Sequence, residues 1–120
     1  RDTIIETANA ITRMLEKLLL DETVAAMKQP ENVAQLAFDA VKSIAAGGEV
    51  STSSELIAAL TDKLSSLPEF TVEMDQTINS GFTVKTDNGR IEHSFTGKTL
   101  ANELCRRLRP DLAAILRANA

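Results

Sequence analysis

The sequence of 120 residues predicts an α+β domain in which two N-terminal helices precede a four-stranded, mainly antiparallel sheet and a C-terminal helix. Three observations predict this class. Apolar residues repeat at helical spacing before residue 47 and again over 99–118. Between these segments, apolar and polar residues alternate with the two-residue period of half-buried strands. An Asn-Gly pair, Asn88-Gly89, separates two alternating runs, as in a tight β-hairpin.

The composition excludes several classes of protein. The chain has 17 acidic and 13 basic residues, a net charge of −4, one Cys, one His, no Trp and no Tyr. An acidic chain with few aromatic rings is a poor candidate for nucleic-acid binding. One Cys and one His cannot form a disulfide framework or a zinc site built from Cys and His alone. No apolar run approaches the roughly 20 residues that a membrane span requires.

We expect residues 1–46 to form a helical lead-in and residues 47–120 an α+β head, together one globular domain. Helix 1 is predicted over about 3–28, with Thr3 and Glu6 at capping-box spacing. Helix 2 is predicted over about 30–46, because Pro30 suits a first helical position and Gly47-Gly48 a helix end. Because Arg1 is not an initiator Met, we expect the chain to be a fragment of a longer one.

Helix 1 carries a narrow apolar seam with a 4-3-4-3 spacing, formed by Ile4, Ala8, Ile11, Leu15 and Leu18. A seam of this width suits a partner helix better than a broad core. Two heptads do not establish a coiled coil, and Ile5, Leu19 and Leu20 widen the face. Packing of helix 1 on its own domain therefore stays an open alternative.

The head is predicted from shorter signals. A weak strand over 49–52 is followed by a helix that Thr52 and Glu55 cap and Pro68 ends, and then by a strand over 70–75. The hairpin over 81–95 is predicted in the register that sets Phe82 opposite Phe95 and Lys85 opposite Glu92. The last helix covers 99–118, and Pro110 predicts a kink or a restart near Arg109.

Residues that could support catalysis are few. Gly97-Lys98-Thr99 matches the last three residues of the phosphate-binding loop motif. Glu92, however, occupies the position where that motif requires its first Gly. His93 has apolar predicted neighbours and no orienting acid, and Cys105 lies inside a helix. We therefore predict no catalytic residue, no cofactor and no metal site.

Two clusters of charged side chains are further candidates for a functional site. Glu73 and Asp75 share a strand face but lack a third metal ligand. A basic cluster lies in the last helix and consists of Arg106, Arg107 and Arg109. Cations in the second half of a helix complement its dipole, so we interpret this cluster as a protein-facing or solvated surface. The residues by themselves thus predict an interaction or structural domain.

Four segments resemble the C-terminal head of the E subunit of V-type and A-type rotary ATPases. They are Gly-Gly-Glu-Val-Ser-Thr-Ser at 47–53, Phe-Thr-Val-Glu-Met-Asp at 70–75, Gly-Phe-Thr-Val-Lys-Thr-Asp-Asn-Gly-Arg-Ile-Glu at 81–92, and Arg-Pro-Asp-Leu-Ala-Ala-Ile-Leu at 109–116. The order of the predicted elements also agrees along essentially the whole chain, although sequence likeness is concentrated after Gly47.

The resemblance implies a peripheral-stalk, or stator, protein that is not itself an enzyme. It would pair with a helix like that of the G subunit, anchor the stalk to the nucleotide-binding A/B-type subunits and support ATP synthesis or ATP-coupled proton or sodium transport. It would be cytoplasmic and reach the membrane only through the ATPase complex. We assign the partner-helix seam to Ile4, Ala8, Ile11 and Leu15, and contacts near the head to Arg106, Arg109 and Leu116.

Two alternatives stay open. A flagellar or type III secretion stator-like protein would share much of this fold and bind an export ATPase. A small enzyme would need a pocket around His93, Cys105 or the acidic strand.

Overall fold

The computed structural model describes residues 2–44 and 47–118, with the side chain of Leu116 excepted. The elements are α1 (Asp2–Ala26), α2 (Pro30–Ile44), β1 (Gly48–Thr52), α3 (Ile57–Lys63), a 3-10 turn (Leu64–Ser66), β2 (Phe70–Met74), β3 (Phe82–Thr86), β4 (Ile91–Phe95) and α4 (Gly97–Ala118). The predicted α+β class and its order of elements are confirmed. The predicted end of helix 2 at residue 46 lies outside the described residues.

The four strands form one mixed sheet in the order β2-β1-β3-β4. β3 is antiparallel to both β1 and β4, while β1 and β2 are parallel. Parallel neighbours require a crossover connection, and α3 with the 3-10 turn provides it. The sheet is therefore mainly antiparallel, as predicted.

The β3–β4 hairpin has the predicted register, with Phe82 opposite Phe95 and Lys85 opposite Glu92. Asn88 and Gly89 adopt positive φ values of 56° and 83°, as a type I′ pair requires. Asp87 is also left-handed, with φ of 54°, so the strands end one residue pair earlier than the two-residue loop predicts.

One face of the sheet packs against α2 and α3 to form the core. Eight side chains there are less than 2% exposed: Phe82, Leu56, Leu60, Val33, Val41, Val50, Val84 and Thr52. The Phe82 ring stacks on that of Phe95, with 4.9 Å between ring centroids. Strand alternation places polar side chains on the opposite face: Glu49, Ser51, Thr71, Glu73, Thr83, Lys85, Glu92 and Ser94.

α1 and α4 lie side by side and antiparallel, and we call this pair the helical arm. Glu16 contacts Arg109 near its middle, and Val24 approaches Gly97 at its other end. No residue of α1 is fully buried, although α4 covers one side of it. The molecule measures 59 × 26 × 21 Å along its principal axes, because the arm extends beyond the sheet layer.

The arm joins the sheet through short contacts. The Gly81 amide donates a hydrogen bond to the Met27 carbonyl at 2.7 Å, and the Gly97 amide donates one to Ser80 Oγ at 3.1 Å. A Cβ atom on Gly97 would lie 2.6 Å from that hydroxyl oxygen and 2.8 Å from Val24 Cα. The two helices and the β2–β3 loop therefore meet too closely for any side chain larger than hydrogen at residue 97.

Two predicted helix starts are wrong. Thr3 lies inside α1, which already begins at Asp2. Thr52 does not cap α3, because its hydroxyl donates instead to the Gly81 carbonyl at 2.8 Å, and α3 begins only at Ile57. The predicted restart near Arg109 is also absent, since α4 continues from Gly97 to Ala118 with Pro110 inside it.

Candidate functional site

The predicted seam on α1 remains largely exposed. Ile4 is 50% exposed, Leu15 is 40% exposed and Ile11 is 38% exposed, whereas Ala8 is half-buried. Leu18, at the same face, is 56% exposed. The contact with α4 thus covers the side of α1 next to the seam and leaves most of the seam open.

α4 contributes to the same surface. Leu15 and Leu18 of α1 line a groove with Leu108 and Leu112 of α4, with a volume of about 330 Å³. Leu19, Cys105, Glu16 and Glu22 complete its lining. Leu104 and Leu108 are each 41% exposed. We call this surface of the arm, from Ile4 to Leu18 on α1 and from Leu104 to Leu112 on α4, the arm groove.

Three charged side chains of α1 lie away from the arm groove, whereas Glu16 and Glu22 line it. Glu6, Arg13 and Lys17 each follow a seam residue by two positions, namely Ile4, Ile11 and Leu15. Two positions correspond to about 200° around a helix with 3.6 residues per turn. The groove side of α1 is therefore apolar from Ile4 to Leu15, which suits contact with another apolar surface. The two carboxylates that line the groove beyond Leu15 are Glu16, which is paired with Arg109, and Glu22.

Arg109 links α4 to α1 at the edge of the arm groove. Its Nε and Nη2 atoms donate to the two carboxylate oxygens of Glu16, at 2.6 and 3.4 Å. This hydrogen bonding, and to a smaller degree the charge of Arg109, lowers the pKa of Glu16. Arg109, one of the predicted head contacts, thus already stabilises the packing of the two helices.

Arg106 is also engaged within the chain. Together with Arg107 it donates to Glu103, and these hydrogen bonds lower the pKa of Glu103 to about 2. The side chain of Leu116, the third predicted head contact, lies outside the described residues. A role for these three residues at the catalytic head stays a prediction.

Acid is expected to weaken the arm. Because the pKa values of Glu16 and Glu103 are lowered in the folded chain, their stabilisation is present above the ordinary glutamate pKa of 4.5 and is lost as pH falls toward 2. The pKa of Glu73 is raised by its hydrogen bond with Glu49 and by repulsion between the two carboxyl groups. Protonation of Glu73 in acid therefore stabilises the folded chain. Thermal unfolding followed by circular dichroism at about pH 6 and pH 3 measures the net change in melting temperature that these opposing effects cause.

The double variant Glu16→Gln, Glu103→Gln removes the two carboxyl groups of the arm whose lowered pKa values contribute to this loss. It should lose less melting temperature between the two pH values than the unchanged chain does. Equal losses in both proteins would show that the two ion pairs do not contribute to the pH dependence.

The other candidate residues do not form a reactive cluster. His93 lies half-buried opposite Val84 in the sheet, and Cys105 is buried where α4 meets α1. Within residues 2–44 and 47–118, no group of three or more His, Cys, Asp and Glu side chains could hold a metal ion.

The corner before α4 differs from a phosphate-binding loop. The Gly97 amide already donates to Ser80 Oγ, and the Thr99 amide donates to Thr96 Oγ1 at 3.3 Å. These are backbone donors that would otherwise face a phosphate. The local hydrogen bonds therefore agree with the sequence argument against nucleotide binding at this corner.

No protein-family model matches the chain, and none of the curated proteins matches it. The resemblance to the E subunit thus stays a prediction that depends on the residues quoted for it. In the part of the chain that the structure describes, no helix is both long and apolar enough to cross a membrane.

Proposed function

We propose that the chain is the C-terminal head of the peripheral-stalk E subunit of a V/A-type rotary ATPase. In this role it anchors the stalk to the nucleotide-binding A/B-type subunits and supports ATP-coupled proton or sodium transport without catalysing a reaction. It is cytoplasmic and peripheral to the membrane as part of the complex. The observation that carries the proposal is the exposed, predominantly apolar groove on the helical arm, which suits a G-like partner helix.

The arm groove has the chemistry of a helix-binding surface. An amphipathic helix binds a groove through apolar side chains spaced three and four residues apart, and the groove supplies apolar side chains from two helices. Fully burying one such side chain contributes about 1.5–3 kcal/mol, so covering four half-exposed ones contributes about 3–6 kcal/mol before the cost of association. That amount corresponds to weak binding, and a connection that resists torque therefore requires further contacts along the stalk.

The attachment of the arm to the sheet also supports a mechanical role. A strut must transmit force without bending where its parts join. The Gly81–Met27 and Gly97–Ser80 hydrogen bonds and the close approach of Val24 to Gly97 fix the arm against the sheet. Each of these contacts involves at least one backbone atom, and backbone atoms in a packed structure move less freely than side chains.

Replacing Ile11 and Leu15 with aspartate is expected to weaken binding of a G-like partner helix at least about 100-fold. Each aspartate would place a charge in an apolar interface, whereas in the chain alone it stays in water and costs little. Isothermal titration calorimetry with the G subunit of a V/A-type ATPase measures the affinity. An unchanged far-ultraviolet circular dichroism spectrum would show that the fold is retained.

A matched control makes the same change of charge on the opposite side of α1. Ala10→Asp with Lys17→Gln also makes the chain more negative by two charges, at exposed positions away from the arm groove. The control should bind like the unchanged chain. Equal weakening by both double variants, or by neither, would contradict a partner surface at the seam.

Binding to the catalytic subunits separates the proposed function from the secretion-stator alternative. Purified nucleotide-binding subunits of a rotary ATPase and a flagellar or type III export ATPase are offered to the chain in its complex with the helical partner. Retention of the rotary subunits alone supports the proposal. Retention of the export ATPase alone would replace it with the alternative.

A further inference from the structure

The helical arm resembles one half of a four-helix bundle. Two antiparallel helices that expose apolar side chains on one side require another pair of helices, or some other apolar surface, to cover them. We propose that a second copy of this chain covers the arm groove when no partner helix is bound. The two arms then pack face to face in a two-fold symmetric dimer. The inference uses the surface of the arm and does not depend on the stator role.

The size of the arm face fits a stable dimer. α1 has 25 residues and α4 has 22, which give lengths of about 37 and 33 Å at about 1.5 Å per residue. An antiparallel overlap centred on the seam, between Ile4 and Leu18, covers residues 2–20 of α1, or about 27 Å, so two helices of about 10 Å diameter side by side present roughly 550 Å². Two such faces bury about 1,100 Å², which exceeds most crystal contacts and passes the roughly 1,000 Å² expected of a biological interface.

The side chains of the arm groove suit packing against the same surface of a second copy. Exposed large apolar side chains occur on both helices: Ile4, Ile11, Met14, Leu15, Leu18, Leu104 and Leu108. A contiguous apolar patch larger than a few hundred Å² usually marks an interaction site. Glu6, Arg13 and Lys17 lie on the opposite side of α1. Of the two carboxylates that line the groove, Glu16 is paired with Arg109, and Glu22 lies beyond the seam residues that would face each other, so two copies can approach without opposing unpaired like charges along α1.

The position of the sheet on the arm selects one arrangement. The sheet joins the arm at the end where Met27 and Gly97 lie. A two-fold axis in the interface and perpendicular to the helices places the two sheets at opposite ends, where they do not collide. The seam residues of α1 extend from Ile4 to Leu18, so this axis passes near Ile11, and Ile11 of one copy faces Ile11 of the other.

Sedimentation equilibrium of the 120-residue chain tests the inference. The unchanged chain of 13.0 kDa is expected to sediment as a particle of twice that mass at about 100 µM. Leu18→Asp on α1 and Leu108→Asp on α4 should each give monomers, because both place a charge in the interface. The control Ala10→Asp with Lys17→Gln should remain dimeric. A monomeric unchanged chain, or dimers in both aspartate variants, would overturn the inference.

A second measurement does not depend on whether the aspartate variants fold. In a Cys105→Ser background, Ile11→Cys should form a disulfide-linked dimer on mild oxidation, and Lys17→Cys should form markedly less. Equal crosslinking at both positions would contradict the proposed axis.

Adding the G-like helical partner separates this inference from the proposed function. Conversion of the dimer into a complex with one copy of each chain supports both. A dimer that ignores the added partner would count against the proposed function and leave the self-association standing.

Discussion

Replacing Gly81 with alanine is expected to lower the free energy of unfolding by about 2–5 kcal/mol. Gly81 has a φ of +71°, in which a side chain costs about 1–2 kcal/mol. Its Cβ would also collide with the Phe95 carbonyl oxygen and lie 2.9 Å from Thr96 Cα, and overpacking of this kind costs about 1–3 kcal/mol. Relief by backbone movement would disturb the hydrogen bonds that Gly81 makes with Met27 and Thr52.

Gly89 provides the matched control for this prediction. Its φ of +83° imposes a similar backbone strain, but nothing lies within 4 Å of a Cβ atom built there. Gly89→Ala should therefore cost only the conformational part, about 1–2 kcal/mol. Urea unfolding followed by circular dichroism measures both variants. Equal losses would show that the close approach of Gly81 to β4 does not contribute to stability.

Replacing Phe82 with alanine is expected to cost about 3–5 kcal/mol, the usual cost of removing a fully buried aromatic side chain. Phe82 is 0% exposed, and its ring stacks on Phe95 across the hairpin. Removing it leaves a cavity between the sheet and the helices that cover it. For a domain of this size the change should lower the melting temperature by about 10 °C or more.

Phe38 offers a control of the same chemistry on α2. It is only half-buried, and the ammonium groups of Lys42 and Lys63 lie 4.9 and 5.3 Å from its ring centroid. Phe38→Ala should cost about 1–2 kcal/mol, since Phe38 packs only partly against the core and cation–π contacts at exposed sites contribute little. A loss as large as that of Phe82→Ala would contradict the assignment of the core to the sheet face.

The elements that depend on local patterns could be predicted from the sequence. The helical repeats gave α1 nearly the correct limits and Pro30 gave the start of α2, and Asn88-Gly89 with its flanking alternation gave the register of the hairpin. The cap at Thr52 could not be predicted, because its hydroxyl bonds Gly81, which lies 29 residues away. The parallel pairing of β1 with β2 likewise depends on contacts between distant segments.

The candidate site was predictable only in part. The 4-3-4-3 spacing of apolar residues was enough to identify the seam on α1, and the seam is largely exposed. The spacing did not show that α4 lines the same groove, because the stripe of Leu104 and Leu108 has the spacing of any core helix. Their 41% exposure, and the antiparallel contact of α4 with α1, become visible only in three dimensions.

Hydrogen–deuterium exchange of the chain with and without its helical partner tests most directly whether the arm groove is the binding surface. To remove the contribution of self-association, the free chain is measured at a concentration where sedimentation shows a monomer. Binding of the partner at the arm groove predicts slower exchange at residues 4–18 of α1 and 104–112 of α4, and little change in the strands. Protection confined to the polar sheet face, with both arm segments unchanged, would contradict it.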